Sequence, residues 1–498
     1  MLAVVVIDSA EHTVLQALMA AGRAPNLDSL ARRGASVPLR SDADVLDGSV
    51  FQTLLTGANP GEHGIYKYRQ LRAGTYSYRR SEAAWSPVPQ IWRVLSERGR
   101  RCCVFDVPKA HPVAGFNGRL LAAWAAYSPA ARPASVPSGL HAELVRRFGR
   151  HPCPAQSPIP LSIEHYGRAR DLLCQGADIR SRACVWMLGD GPWDFFMTAF
   201  CESHVAAHQF WHLRDPKHSL FDPAASEACA GAVEEVYEAI DAALGRVLET
   251  LPRGATVVVL TQQGVASNFS GSHLIPEWLA RRRGAAGRRG RPGLFVRAAA
   301  ALGPSLRSRL HRDLPDPLMD LWLRRKYAPA GDVFMLPGSE FMAMLRVNLQ
   351  GREPRGTVAP GSYRQVIEAL RDDLLLLRNP ATGRAAVREV VFSHDRFHGN
   401  RLDALPDVIV CWAADAPIES LQCPKRGTIT GGLRFVDRSH SLHTAEGLAF
   451  IAGPGVYPGA RREALSMADL TATLYRLMGE GVPPHVEGMP LDLTASPD

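Results

Sequence analysis

No CxxC pair and no regular interval links the nine cysteines, so neither a zinc ribbon nor a disulfide framework is written into the chain. An odd, scattered set of thiols points to a reducing compartment, and the cytoplasm is the expected location. Also missing is any apolar run long enough to cross a membrane. The opening MLAVVVIDSAEH has no charged lead and no small-residue cleavage site, and Asp8 interrupts its apolar run at once. It predicts a first buried strand rather than an export signal. Lysine is scarce beside arginine, and the formal charge of +8 rests on arginine in a chain that is also rich in alanine. A GC-rich genome produces that bias without functional demand, so no nucleic-acid partner is expected. No internal repeat is visible. The 46% hydrophobic and 21% charged content over 498 residues is that of an ordinary globular protein with room for a large core.

What the chain does have is a histidine stretch. FCESHVAAHQFWH, Phe200 to His212, sets His204, His208 and His212 at i, i+4 and i+8 of one predicted helical face. Two imidazoles one turn apart can grip a transition-metal ion, although a core-satisfied or solvated stripe shows the same spacing. The run follows Trp193 to Phe200, which predicts a buried strand, so the helix begins at the strand end where open α/β sheets bind ligands. Leu2 to Ile7 predicts a central parallel strand that delivers Asp8 to its end, and Ala255 to Leu260 predicts another that delivers Gln262 and Gln263. Cys102 to Val107 reads as a further strand. Helices are predicted over Thr13 to Ala21, Pro25 to Gly34 and Ala230 to Leu251.

Between these lies VLDGSVFQTLLTGANPGEHGIYKY, Val45 to Tyr68. Asp47-Gly48-Ser49 predicts a loop entering a helix with Ser49 or Asp47 as N-cap, and Thr56 to Gly64 a glycine-punctuated turn. The free N–H groups of such a helix start suit an anion. Ser128 to Pro160, rich in Pro and Ala, reads as a surface excursion. The basic tract Arg281 to Arg312 reads as a solvated face.

Taken in order, Asp8 after the first strand, APNLDSLARRG, TGANPGEHGIY, ESHVAAHQFWH and HTAEGLAFIAGPG resemble the alkaline phosphatase superfamily, in its type I phosphodiesterase/nucleotide pyrophosphatase branch. FMAMLRVNLQGREPRGTVAPG, LPDVIVCW and DLTATLYRLMGEGVPPHVEGMPL extend the resemblance over most of the chain. It implies an α/β fold with a doubly wound, mainly parallel central sheet, built from residues 1–281 and 404–498, with an inserted or capping region over 282–403. Asp407 to Cys411 and Leu448 to Ile451 are then expected to return the chain to the central sheet.

The resemblance also implies two zinc-type ions held by three Asp, three His and a Thr or Ser nucleophile. Asp8 matches the first aspartate and His443 the last histidine. The usual DxxxH is His204 and His208 here, with imidazole in place of the carboxylate. The nucleophile position falls on Asp47, with Ser49 as the substitute if the loop register shifts. The usual Asp-His pair is Gln262-Gln263.

These departures divide the site. His204, His208 and His443 form a three-imidazole set with an open position, which suits one catalytic Zn2+. Asp8, Asp47 and an amide oxygen from Gln262 are harder ligands that would suit Mg2+, Mn2+ or Ca2+ as a second ion. The expectation is a metal-dependent hydrolase or transferase of a phosphate-type ester, a phosphodiester or phosphonate, with Asp47 as general base or carboxylate nucleophile. The alternative is a catalytically inactive pseudoenzyme of the same fold that acts as a binding or scaffold protein. A small anionic ester is the expected partner, and no pattern in the residues specifies an oligomer.

Overall fold

The Val-rich run Leu2–Ile7 lies in a ten-stranded sheet, paired in parallel with Phe195–Phe200 on one side and Thr256–Thr261 on the other. The computed structural model describes the chain apart from residues 82–84, 126–132, 155–159, 285–314, 328, 330, 339, 431–439, 462 and 495–498. All six residues of Leu2–Ile7 are buried, as a strand covered on both faces requires. Alternate side chains go to opposite layers: Val4 and Val6 pack among Leu54, Trp92 and Leu474, and Val5 and Ile7 among Leu27, Val236 and Ile240. Each such aliphatic side chain contributes about 1.5–3 kcal/mol when fully buried.

Cys102–Phe105 and Gly118–Ala122 continue the parallel order, and Glu446–Ala452 runs antiparallel between Thr256–Thr261 and Ala35–Arg40. The fold is therefore the doubly wound, mainly parallel α/β class that the sequence predicts. Its helices start and stop close to expectation, at His12–Ala20, Pro25–Arg33 and Ala232–Glu249. Proline stands at the start of Pro25–Arg33, and Asp241 accepts from the backbone N–H groups of Asn26 and Leu27 there. A carboxylate satisfies two of the donors that a helix start leaves open.

A second, four-stranded antiparallel sheet contains Val333–Met335, Ala343–Val347, Val408–Trp412 and Val387–Phe392 in that spatial order. Here one expectation fails. Val408–Trp412 pairs with Ala343–Val347 and Val387–Phe392 in this sheet and does not return to the central one. A fully buried apolar run reads alike in either sheet, and only its partners distinguish them. Trp278, Ile367 and Leu370 pack against this second sheet.

The Ser128 to Pro160 segment is less of a surface excursion than its composition suggests, because Leu140–Phe148 is a helix that buries Leu140 and Leu144 against the core. Most of the basic tract lies outside the described residues. Its first member, Arg281, pairs with Glu277 and donates to the carbonyl of Thr428. Among the described residues no helix is long and apolar enough to cross a membrane.

Candidate metal centre

Three neighbouring parallel strands end side by side, so the residues that follow them share one edge. Val6 is in register with Leu260 and Ile7 with Phe200, which sets Asp8, Gln262-Gln263 and the start of the histidine helix next to one another. Ser9 turns the chain there with φ 54°, the left-handed region, at a cost of order 1–3 kcal/mol for a residue with a Cβ. The strained turn aims its hydroxyl at Asp8 Oδ1, 2.9 Å away, and places it 3.2 Å from His204 Nδ1.

The histidine helix spans Glu202–Phe210 and tightens into a 3-10 turn at Trp211–Leu213. His204 and His208, one turn apart, meet His443, which sits on Ser441–Thr444 in an antiparallel pair with Gly264–Ser267. The candidate ligand atoms of the three histidines lie within 4.8 Å of one another, and the Nε2 atoms of His208 and His443 are 3.2 Å apart. Burial pushes all three imidazoles below their ordinary range. Neighbouring imidazoles add to the shift at His208 and His443, and Asp8 opposes it at His204. They are thus neutral at pH 7, the form that ligates a metal. Ser441 Oγ lies 2.9 Å from His208 Nδ1 and fixes the orientation of that ring.

The base of the helix is anchored by a buried ionic network. Arg180 donates to Glu202 at 2.9 Å and to Asp106 at 3.0 Å, and His151 Nε2 lies 2.8 Å from Glu202. Burial would raise the Glu202 carboxyl, but Arg180 and His151 hold it at about 2.

His212 leaves the face that carries His204 and His208. The helix tightens before it arrives, and its Nε2 lies 3.0 Å from Tyr166 OH with its ring 4.1 Å from that of His440. It belongs to a separate buried cluster, where burial, His440 and His218 lower its pKa to about 2.

Asp8 Oδ1 accepts from Gln262 Nε2 at 2.5 Å, while Asp8 Oδ2 is buried, meets no hydrogen-bond donor and lies 3.7 Å from His204 Nδ1. A buried carboxylate oxygen without a donor, set beside three neutral imidazoles, fits a divalent cation. The glutamines are placed differently. Gln263 Nε2 donates to Ser9 Oγ at 2.8 Å, so both amides present N–H groups to the Asp8 turn. An ionised carboxylate only accepts, and this fixes which end of Gln262 faces it.

Asp47 opens the 3-10 turn Asp47–Ser49, and its two carboxylate oxygens accept from Lys67 Nζ at 2.7 and 2.8 Å. Burial would lower the Lys67 ammonium, but Asp47 and Glu340 hold it above its ordinary value. Ser49 does not make the expected N-cap bond. It is already helical, fully buried, and its hydroxyl donates back to the carbonyl of Leu46 at 2.6 Å. The sequence reading did not single out Lys67, Phe341 or Ser441. Phe341 stacks on His208 with centroids 5.8 Å apart and meets His443 edge-on at 5.4 Å. A cavity of about 390 Å3 opens beside His443, lined on the one hand by Phe269, Phe341, Met342 and Trp412 and on the other by the charged Arg40, Asp44, Arg388, Glu389 and Glu446.

The sequence model of the type I phosphodiesterase / nucleotide pyrophosphatase family matches residues 2–420. No curated protein matches the chain. Among solved structures it is similar to a phosphonoacetate hydrolase from Sinorhizobium meliloti 1021 in complex with phosphonoformate, at 14% identity and a TM-score of 0.53, covering 96% of this chain and 95% of that one. It is also similar to wild-type alkaline phosphatase PafA, at 11% identity and a TM-score of 0.54, covering 99% and 98%. At such identities the likeness is one of fold.

Proposed function

This chain belongs to the type I phosphodiesterase / nucleotide pyrophosphatase family, and on that premise we propose that it hydrolyses a phosphate-type ester, a phosphodiester or phosphonate, at a centre holding one divalent ion. The observation that carries this reading is the closure of His204, His208 and His443 to within 4.8 Å beside the donorless Oδ2 of Asp8. The softer imidazole set favours Zn2+. When bound, such an ion supplies Lewis acidity toward an ester oxygen and makes water acidic enough to attack near neutral pH.

The chain's own residues supply the rest. Asp47 takes the proton-accepting role, because a carboxylate has about four lone-pair sites and Lys67 uses two of them. Ser49, turned to the Leu46 carbonyl, is not assigned the nucleophile's role. The apolar part of the cavity lining beside His443, Phe269, Phe341, Met342 and Trp412, suits an apolar organic group on the ester. The nine cysteines are all unpaired, which supports a reducing, cytoplasmic setting.

Elemental analysis of protein purified without a metal-affinity tag, followed by chromogenic monoesters, diesters, phosphonates and sulfates, tests the reading. One equivalent of zinc with turnover of a phosphorus ester supports it. The N–H groups that Gln262 and Gln263 turn toward the Asp8 loop favour the scaffold alternative, and protein free of bound metal that cleaves no ester would establish that alternative.

A further inference from the structure

We propose that the Lys67 ammonium is the second cation of this centre: it binds the anionic oxygens of the substrate's phosphorus, in a site that holds one divalent ion rather than two. The proposal rests on the same site as the ester-hydrolase reading.

A second metal ion does not fit the residues present. An ion bridging Asp8 and Gln262 would need lone pairs where Gln262 presents an N–H, 2.5 Å from Asp8 Oδ1. An ion at Asp47 would have to enter beside an ammonium that already contacts both carboxylate oxygens. Of the oxygens expected to hold Mg2+, Mn2+ or Ca2+, Asp8 Oδ1 and both of Asp47 are therefore met by the chain's own donors, and Asp8 Oδ2 is left to the imidazole-held ion.

Lys67 is built into its place. Its side chain is 11% exposed. Gly338, at φ +79°, leaves room for its stem, since a Cβ there would stand 2.7 Å from Lys67 Cγ and 2.9 Å from Cε. Gly48, beside Asp47, has the same relation to the backbone, where a Cβ would stand 2.7 Å from Lys67 Cα. These close approaches fix the ammonium relative to the Asp47 turn, which is the preorganisation that electrostatic stabilisation of a developing charge requires.

The ammonium also faces the metal ligands. Lys67 Nζ lies 5.0 Å from the centroid of Phe341, the ring that stacks on His208 and meets His443 edge-on. One aromatic wall thus lines both the ammonium and the imidazoles. An ammonium has three donors, and Asp47 takes two of them. Glu340, at 3.8 Å, is beyond hydrogen-bond distance, so the third donor is available to an anionic oxygen.

The test uses the zinc-loaded full chain, titrated calorimetrically with inorganic phosphate and with orthovanadate. Lys67→Met should weaken both anions at least tenfold and lower kcat/KM for any ester turned over by about 10²–10³-fold, with zinc still at one equivalent. The double variant Asp47→Asn with Lys67→Met leaves no stranded carboxylate, and anion binding should remain weak in it. Recovery of phosphate affinity to within threefold of the parent would show that Lys67 merely neutralises Asp47, and the proposal would fall. Two zinc equivalents in the parent at saturating metal, or no phosphate binding by the parent, would also overturn it. A parent that binds phosphate through Lys67 yet cleaves no ester would sink the hydrolase reading and leave this proposal standing.

Discussion

Gln262 donates to Asp8 across the ends of two neighbouring parallel strands, with Nε2 2.5 Å from Oδ1. The amide neutralises no charge, but it satisfies one oxygen of a carboxylate that is almost wholly buried.

Gln262→Asp should therefore behave oppositely with and without metal. Two carboxylates at that separation repel, so the variant should melt several degrees lower than the parent in EDTA and recover in excess Zn2+. Gln262→Asp with Gln263→His and Asp47→Thr should raise metal stoichiometry from one toward two. Elemental analysis beside differential scanning calorimetry checks both, and an EDTA melting point equal to the parent's would contradict the charge argument.

Metal retention should separate the histidines. His204→Ala and His443→Ala should each lose the ion, whereas His212→Ala should keep it, because His212 bonds to Tyr166 instead. That variant should instead lose about 0.5–1.5 kcal/mol of stability through the lost bond to the Tyr166 hydroxyl, which keeps only the Leu161 N–H as a partner. Ser441→Ala, which frees the His208 ring, should weaken zinc binding about 10- to 100-fold without abolishing it. Competition against a chromophoric chelator reads all four variants.

Arg180→Met should be among the most destabilising single changes. It takes the shared cation from Glu202 and Asp106 in a site where the arginine itself is 0% exposed, leaving His151 beside Glu202 and two backbone N–H groups on Asp106, at a cost of about 3 kcal/mol. Because Glu202 stands in the first turn of the helix that carries His204 and His208, zinc affinity should fall with it. Urea titration of the apo and zinc-loaded forms measures both effects. Unchanged midpoints would show that the network is dispensable.

His63 should contribute to acid lability. Its Nδ1 accepts from the Ile65 N–H at 3.0 Å, so Nε2 carries the ring proton and faces Thr53 Oγ1 at 3.1 Å. Burial, reinforced by Lys109, lowers its pKa to about 3. Below about pH 6.5 the unfolded chain takes up a proton that the folded one refuses until about pH 3. This group therefore subtracts up to about 1.4 kcal/mol per pH unit as pH falls through that window. The stability gap between His63→Gln and the parent should narrow from pH 7 to pH 4.5, and a gap independent of pH would remove His63 from the account.

The sequence by itself determined the sheet centre and the placement of several residues of the candidate site. Leu2–Ile7 is buried on both faces, an environment that demands an unbroken apolar run, and such a run is visible without a structure. Asp8 follows from it as the first polar residue after the run, and Gln262 and Gln263 stand just beyond the equally apolar Val257 to Leu260, after Thr261. The pairing of His204 with His208 follows from the helical repeat.

Tertiary structure alone decided what each group meets. His212 has the right spacing, but the chain tightens to a 3-10 turn and gives it to Tyr166. Val408–Trp412 has the right apolarity for the central sheet and the wrong neighbours. Asp47 stands at the position where the resemblance implied a nucleophile and is paired with Lys67, while Gly338 and Phe341 shape that pair from the distant second-sheet region. Periodicity records only whether a side chain is buried. Which charge or ring it is buried against depends on strand order and on contacts such as Gln262 with Asp8, 254 residues apart, that no local pattern encodes.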